Sequence, residues 1–566
     1  MHSRMNIYTL GTHSDWFYSG GAWGVPGHQR IVDLCKAAGI SRLYWRTHNG
    51  GQAAYPSKKC RIQDGSFFTR AGFQGVGTLP RSYFQYARHV DYRGWDQLAD
   101  MLETGAGSDL EVSFWYTFLE DDHGGPVPSA FLEAHPELRC TTREGNQIDG
   151  CLEFWYPEVR EYKLAIVDEL LERPVKRLLL DVLRRNGKPS ADAAGNYRYG
   201  FNPEVTTAFR KETGVDALAI HPGSPEWDLW LTFHSRSLNG FIREVAARAA
   251  ARGVAVDLLT WAVPTKEWLA LDLADLVGSG AVDLVFTGTH RYAFSASDAR
   301  FQVATVGSSV PELRADRVVP GLFGYHHFAP RSVDDFLGAA RESGCTSVCL
   351  HESNYMVSSP ITDRLRAWSY GKPHQDRTVK SSRTSESEYC GFTVCHDVTG
   401  RSCDQITRFS LFHDDTSLRV RVYCSERSPE HLLPVPELER ENFNAVALGA
   451  RAFWNPFESV HVFLDAAHQH EDFFHFVLDP SGRKLADMRR DENWDQPWEG
   501  HSQMGSDGWT ATFVIPWASL AMQPNPGVEM GFQVFRVQNR PREVSSWFCS
   551  TGRRIQPEEF GHLVLR

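Results

Sequence analysis

From its first residues to about residue 372 the chain repeats one pattern eight times: a short run of Val, Ile, Leu and aromatic residues, then a stretch with helical period. A short apolar strand followed by an amphipathic helix buries both faces when the strands lie parallel and the helices pack outside them. The runs are Ile7–Gly11, Arg42–Thr47, Glu111–Leu119, Arg177–Leu183, Ala255–Trp261, Asp283–Thr289, Val318–Tyr325 and Ser347–Glu352. Helices are expected at 28–39, 94–104, 157–172, 228–252, 267–278, 297–308, 331–343 and 361–369. Pro157 stands where a first helical residue is favoured, before an acidic turn, and Ser332 precedes the apolar stripe of another helix as a cap. Eight strands and eight helices in alternation predict an α/β fold, a (β/α)8 barrel over residues 1–372.

The pattern stops at a polar stretch rich in Ser, Thr and Arg, read as a linker over 373–389. After it the helical period disappears. Short alternating runs follow (TRFSLF, SLRVRVYC, SVHVFLDA, DFFHFVLD, WTATFVIP, MGFQVFRVQ and FGHLVL), with turn signals such as Asp479-Pro480-Ser481-Gly482 between them. Residues 390–566 are therefore expected to form an all-β sandwich.

With 59 basic and 70 acidic residues the net charge is −11, and the acidic groups are spread along the chain. Nucleic acid is not an expected partner, because phosphate binding needs a basic field. No apolar run reaches the eighteen or so residues of a membrane span, and the N-terminus has neither an apolar h-region nor a small-residue cleavage site. A cytoplasmic protein is the expectation, with its 11 cysteines as reduced thiols and none in a C-x-x-C pair. Oligomeric state has no readable code, and a homo-oligomer is compatible with aromatics in the loops.

In a barrel of this kind the chemistry sits at the carboxyl ends of the strands. Those ends carry His13 and Trp16; Trp45, Arg46 and His48; Tyr116, Glu120, Asp121 and Asp122; Asp181 and Arg184; Trp261; His290 and Arg291; His326 and His327; and His351, Glu352, Asn354 and Tyr355. Aromatic faces beside carboxylates, imidazoles and guanidinium groups suit a sugar ring, which offers an apolar C–H face and a rim of hydroxyls. A carbohydrate is the expected substrate.

Asp181 follows Leu178-Leu179-Leu180 directly, which places a desolvated carboxylate at the rim of the fourth strand. Its structural alternative is an ion pair with Arg184 or Arg185. Glu352 ends the eighth run in the same way, and strands four and eight face each other across a barrel, so Asp181 and Glu352 are the expected catalytic pair for glycoside hydrolysis. Glu352 could instead bind a substrate hydroxyl or pair with Arg46. Glu120, Asp121 and Asp122 are rivals for the second role.

His13, His290, His326 and His327, with Asp181 and Glu352, could also assemble a divalent-metal site. The first strand carries H-x-D and no tight ligand cluster appears in sequence, so no metal and no cofactor is expected in the barrel; structural calcium in the sandwich stays open. There is no G-x-S-x-G nucleophile elbow and no phosphate-cradling glycine pattern.

The stretch HPELRCTTREGNQIDGCLEFWYPEVREYKLAIVDELLERPVKRLLLDVLRRNG, with FNPEVTTAFRKETGVD after it, resembles glycoside-hydrolase-like barrels often called family 10-like. The resemblance implies a catalytic or substrate-contacting carboxylate at Asp181, with Arg184 beside it. One departure matters: in the retaining enzymes of the large glycosidase clan that includes true family 10 xylanases, a Glu is expected at the end of strand seven, where this chain has Gly324-Tyr325-His326-His327, and often an Asn-Glu pair at strand four, where it has a lone Asp. Xylanase chemistry is therefore not implied.

The second unit, through SVHVFLDA, FFHFVLDPSGRKLAD, NWDQPWEG, DGWTATFVIPWASL and GFQVFRVQ, is similar to family 9-like carbohydrate-binding modules. That likeness implies a sugar gripped between tryptophans, with Trp494, Trp498 and Trp547 as candidates, or a unit that serves only in packing. The expectation is a glycosidase acting on an oligo- or polysaccharide. The alternatives are a glycan-binding protein with a decayed barrel and a metal-dependent sugar isomerase or lyase.

Overall fold

The computed structural model describes residues 4–12, 15, 24–64, 91–122, 128–183, 191–288, 295–322, 330–351, 359–370, 378–389, 392–394, 405–429, 432, 458–469, 472–488, 491, 494–539, 542–547, 557 and 560–566. Eight parallel strands close a barrel: β1 (Asn6–Gly11), β2 (Arg42–Arg46), β3 (Glu111–Tyr116), β4 (Arg177–Asp181), β5 (Ala255–Trp261), β6 (Val285–Gly288), β7 (Val318–Leu322) and β8 (Ser347–Leu350). Each pairs with its neighbour in sequence, and β8 closes on β1. The strands match the eight expected runs, and β2, β3, β4 and β8 end one to three residues short of them at the mouth.

Among the described residues the helices of ten residues or more are α1 (Val25–Ala38), α2 (Gln97–Ala106), α3 (Pro157–Leu171), α4 (Pro203–Thr213), α5 (Pro225–Ala250), α6 (Ala296–Ser309), α7 (Pro330–Glu342) and α8 (Ser359–Tyr370). Their starts follow the local chemistry. Pro157 is the first residue of α3, the Asp96 carboxylate accepts from the backbone N–H groups of Leu98 and Ala99 at the head of α2, and Ser295 with Asp298 forms a capping box on α6. Since α7 begins at Pro330, Ser332 lies inside its first turn rather than capping it. The helix expected at 267–278 is split into two short ones, Thr265–Leu269 and Leu273–Gly278, because Ala270 adopts a left-handed backbone (φ 50°) and Asp272 caps a new start.

The amino-terminal end of the barrel is closed by charge. Arg42 pairs with Glu111 at 2.6 Å, Arg177 with Asp257 at 2.6 Å, and the Tyr44 hydroxyl donates to Asp257 at 2.6 Å. Among the described residues no helix is long and apolar enough to cross a membrane.

The second unit has its own core and two sheets. Its strands are β9 (Thr378–Ser381), β10 (Ser387–Tyr389), β11 (Thr393–Val394), β12 (Thr407–His413), β13 (Ser417–Ser425), β14 (Ser459–Asp465), β15 (Phe474–Leu478), β16 (Lys484–Met488), β17 (Glu499–Met504), β18 (Gly508–Pro516), β19 (Glu529–Asn539), β20 (Arg542–Ser546) and β21 (Gly561–Leu565). One sheet runs β9-β21-β19-β14-β15-β16, with β20 also on β19 and β11 on β20; the other runs β10-β12-β13-β18-β17. The linker expected over 373–389 is corrected at its C-terminal part. Thr378–Ser381 pairs in parallel with β21, and Ser387–Tyr389 pairs with β12. Polar residues suit these edge strands, and buried Val379 and Ser381 face inward.

Candidate active site

Strand register sorts the residues at the carboxyl mouth. Arg46 lies opposite Trp115 across β2 and β3, and Trp115 lies opposite Leu179, two residues before Asp181 on β4. Residues two apart share a face, so Arg46, Trp115 and Asp181 point the same way.

They meet there. Trp115 Nε1 donates to Asp181 Oδ2 at 2.9 Å, and the Leu183 backbone N–H donates to Asp181 Oδ1 at 2.8 Å. The Arg46 guanidinium sits 5.0 Å from the Trp115 ring centroid, pairs with Glu120 at 2.8 Å and donates from Nε to the His48 carbonyl at 2.9 Å. His351, the residue after β8, places its ring edge-on to Trp115 with centroids 6.2 Å apart. Trp261 ends β5 and donates Nε1 to the Leu183 carbonyl, fixing the backbone that holds Asp181.

Asp181 is 8% exposed and Glu120 4%. Burial pushes the Asp181 carboxyl up to about 6, and the neighbouring Glu120 charge adds to the rise. The Leu183 N–H, the Arg46 charge and the Trp115 N–H oppose it without cancelling it. A buried acid beside a second carboxylate that has its own guanidinium partner can give up a proton near neutral pH.

Several expected contacts are corrected by the same alternation. Trp45 is fully buried on the helix side of β2, where its Nε1 donates to Gln97 of α2 at 2.9 Å and its ring meets His28 of α1 edge-on. Gly11 makes room for it, since a Cβ there would lie 2.8 Å from the Trp45 ring. Tyr116 points opposite to Trp115 and packs on Phe118 and His48. His48 is buried against Tyr55 and Tyr116, with Thr47 Oγ1 at 2.9 Å and Cys60 Sγ at 3.5 Å from its two ring nitrogens. Desolvation holds it well below the usual imidazole range, so it is neutral packing rather than a mouth residue. Asp121 is taken by a buried ion pair with Lys163 of α3 at 2.8 Å.

His13, Trp16, Arg184, His290, Arg291, His326, His327, Glu352, Asn354 and Tyr355 lie outside the described residues. Trp115 is the addition that sequence reasoning did not assign to the site, whereas His351 stands at the mouth as expected. The signal for Trp115 was available: Glu111 and Ser113 are polar residues at the preceding inward positions of the same strand.

In the second unit, the three tryptophans expected to grip a sugar are core residues. Trp494 packs on Phe474 and Phe476, Trp498 stacks on Phe513, and Trp547 meets Phe409 and Phe532. Their exposures of 8%, 8% and 4% leave no ring face for a ligand. They fill the space between the sheets.

No protein-family model and no curated protein matches the chain. Among solved structures it is similar to the glycoside hydrolase domain of PgaB (BpsB) from Bordetella bronchiseptica, at 14% identity and a TM-score of 0.45, over 65% of this chain and 99% of that one. The catalytic domain of beta-amylase from Paenibacillus polymyxa is similar at 9% identity and a TM-score of 0.41, over 65% of this chain and all of that one (100%). A family 9 carbohydrate-binding module from Caldicellulosiruptor kristjanssonii, in complex with cellotriose, is similar at 16% identity and a TM-score of 0.25, over 34% of this chain and 94% of that one.

Proposed function

We propose that the chain is a glycosidase of the family 10-like barrel type, cleaving an oligo- or polysaccharide with Asp181 as proton donor. The supporting observation is the raised, buried carboxyl of Asp181 at the strand-four mouth, beside Glu120. In this reading Asp181 protonates the glycosidic oxygen as the bond to the anomeric carbon breaks, and an ionised carboxylate stabilises the positive charge that develops on the sugar. Glu120, whose charge acts on Asp181 and which has Arg46 as its counter-charge, is the first partner in this reading. Glu352, next after the His351 ring that touches Trp115, is the second.

The mouth residues His13, Trp16, Arg184, His290, Arg291, His326, His327, Asn354 and Tyr355 are assigned to binding substrate hydroxyls and ring faces. Trp115 and Trp261, both buried, are assigned to positioning Asp181 through their hydrogen bonds to its carboxyl and to the Leu183 carbonyl. The sandwich is assigned to structural support, in keeping with the burial of Trp494, Trp498 and Trp547.

The test is turnover of Asp181→Asn, Glu120→Gln and Glu352→Gln on a panel of aryl glycosides and oligosaccharides. Loss at Asp181 of about 10²- to 10⁴-fold is expected, and whichever glutamine variant falls with it identifies the partner. Wild-type turnover by folded Asp181→Asn overturns the reading. Glycan binding in calorimetry with no hydrolysis across the panel would replace it with a binding protein on a barrel scaffold.

A further inference from the structure

Away from the barrel, three metal-binding side chains meet on the larger sandwich sheet. His468 lies in the turn after β14, Glu529 opens β19, and His562 is the second residue of β21. Each offers one ligand atom, and these atoms all lie within 4.8 Å of one another. The two imidazole rings meet edge to face with centroids 4.9 Å apart. Glu529 Oε1 is 3.9 Å from His468 Nδ1 and in hydrogen-bond contact with His562 Nδ1.

The topology explains the meeting. Neighbouring strands β14, β19 and β21 set Asp465 opposite Gly531 and Gly531 opposite His562 in one row. A Cβ at residue 531 would come within 2.9 Å of Asp465 Cβ, so the row has no room for a side chain at that position. Glu529, two residues earlier, shares that face. His468 takes a left-handed backbone (φ 50°), which is uncommon outside glycine, and its N–H bonds to the Asp465 carbonyl at 3.2 Å. In that conformation its ring lies against His562.

We propose that His468, Glu529 and His562 bind one divalent transition-metal ion of the zinc class, tying the turn after β14 to β19 and β21. Two imidazole nitrogens and one carboxylate suit zinc and its neighbours, whereas calcium requires six to eight oxygens. Bonds of about 2.0–2.2 Å put tetrahedral ligand atoms about 3.4 Å apart, so the side chains need only close in slightly. Side-chain exposures of 20% for His468, 17% for His562 and 46% for Glu529 leave a path for the ion and a fourth position for water.

The experiment uses the full chain, stripped with chelator and titrated with zinc chloride by calorimetry, with elemental analysis after gel filtration and a parallel titration with cobalt(II). One ion per chain is expected, with proton release, a rise in melting temperature, and a visible tetrahedral cobalt spectrum. His468→Ala and His562→Ala should each weaken binding more than about tenfold, and Glu529→Gln should do so with its shape kept. The partial exposure of all three side chains favours folding of these variants, which circular dichroism checks. Failure of the wild-type chain to retain an ion, or affinity and cobalt spectrum unchanged in the His468→Ala/His562→Ala double variant, overturns the proposal.

Discussion

Trp115 Nε1 donates to Asp181 Oδ2 at 2.9 Å, so an aromatic residue of the third barrel strand holds the carboxyl of the fourth. Neither the indole nor the Leu183 N–H on the other oxygen offsets the cost of burial, and Asp181 sits near 6. If Asp181 must be protonated to act, activity falls about tenfold per pH unit above that value. A kcat/KM profile over pH 4 to 9 checks this, and Trp115→Phe should move the alkaline limb upward because it deletes a donor that favours the ionised form.

The same carboxyl links stability to pH. Its folded value lies above the ordinary carboxylate value, so the folded chain binds the proton more tightly. The stability this contributes is present below about pH 4 and is lost as pH rises through about 6. The difference corresponds to about 3 kcal/mol at most. Asp181→Asn cannot titrate there, so its stability relative to wild type should climb by up to that amount between pH 4 and pH 7. Parallel urea melts at both pH values measure it, and a pH-independent difference would contradict the raised value.

Arg46 carries two duties that substitution separates. It pairs with Glu120 at 2.8 Å, where the side chains are 15% and 5% exposed, and its charge opposes the rise at Asp181. Arg46→Ala leaves a buried carboxylate without its counter-charge and should cost about 3–5 kcal/mol, while moving the alkaline limb of the activity profile upward. Arg46→Lys keeps the charge but loses the planar fork, so it should restore the position of the limb more fully than the stability. Equal profiles for wild type and alanine variant would remove Arg46 from the electrostatics of Asp181.

The barrel was legible because parallel strands flanked by helices leave a coarse signal, apolar runs spaced by helical stretches, that survives errors of a few residues at each end. Facing was not legible by the same means. Arg42-Leu-Tyr-Trp-Arg46 is bulky throughout because both faces of a barrel strand are covered, so nothing in its hydrophobicity says that Trp45 turns to the helices and Arg46 to the mouth. Helix α4 was missed for a related reason: its buried residues are Val205 and Phe209, one four-residue step, too little to register as a stripe. Trp494 and Trp498 flank a polar loop sequence, and only closure of the two sheets over them settles that they face inward.

Trp45 tests that assignment of faces. If its indole is a spacer between β2 and α2, Trp45→Phe deletes the donor to the buried Gln97 carbonyl and should cost about 1–3 kcal/mol of stability. On the proposed glycosidase reading, KM and kcat should stay at wild-type values in the folded variant, since Arg46 on the other face is untouched. A KM raised several-fold with unchanged melting temperature would instead return Trp45 to the substrate.

Trp547 makes the corresponding case for the sandwich. Its ring packs on Phe409 from one sheet and Phe532 from the other, with centroids 5.5 and 6.0 Å away, so it fastens the two layers together. Trp547→Ala opens a cavity that flanking phenylalanines fill only in part, and about 3–5 kcal/mol of loss is expected. Trp547→Phe keeps an aromatic body and should recover most of it. Thermal melts of the full chain separate the two, and glycan affinity in calorimetry supplies the decisive contrast. A sugar-gripping tryptophan would lose binding in both variants at unchanged stability, whereas a core tryptophan loses stability in the alanine variant and leaves any residual affinity at its starting value.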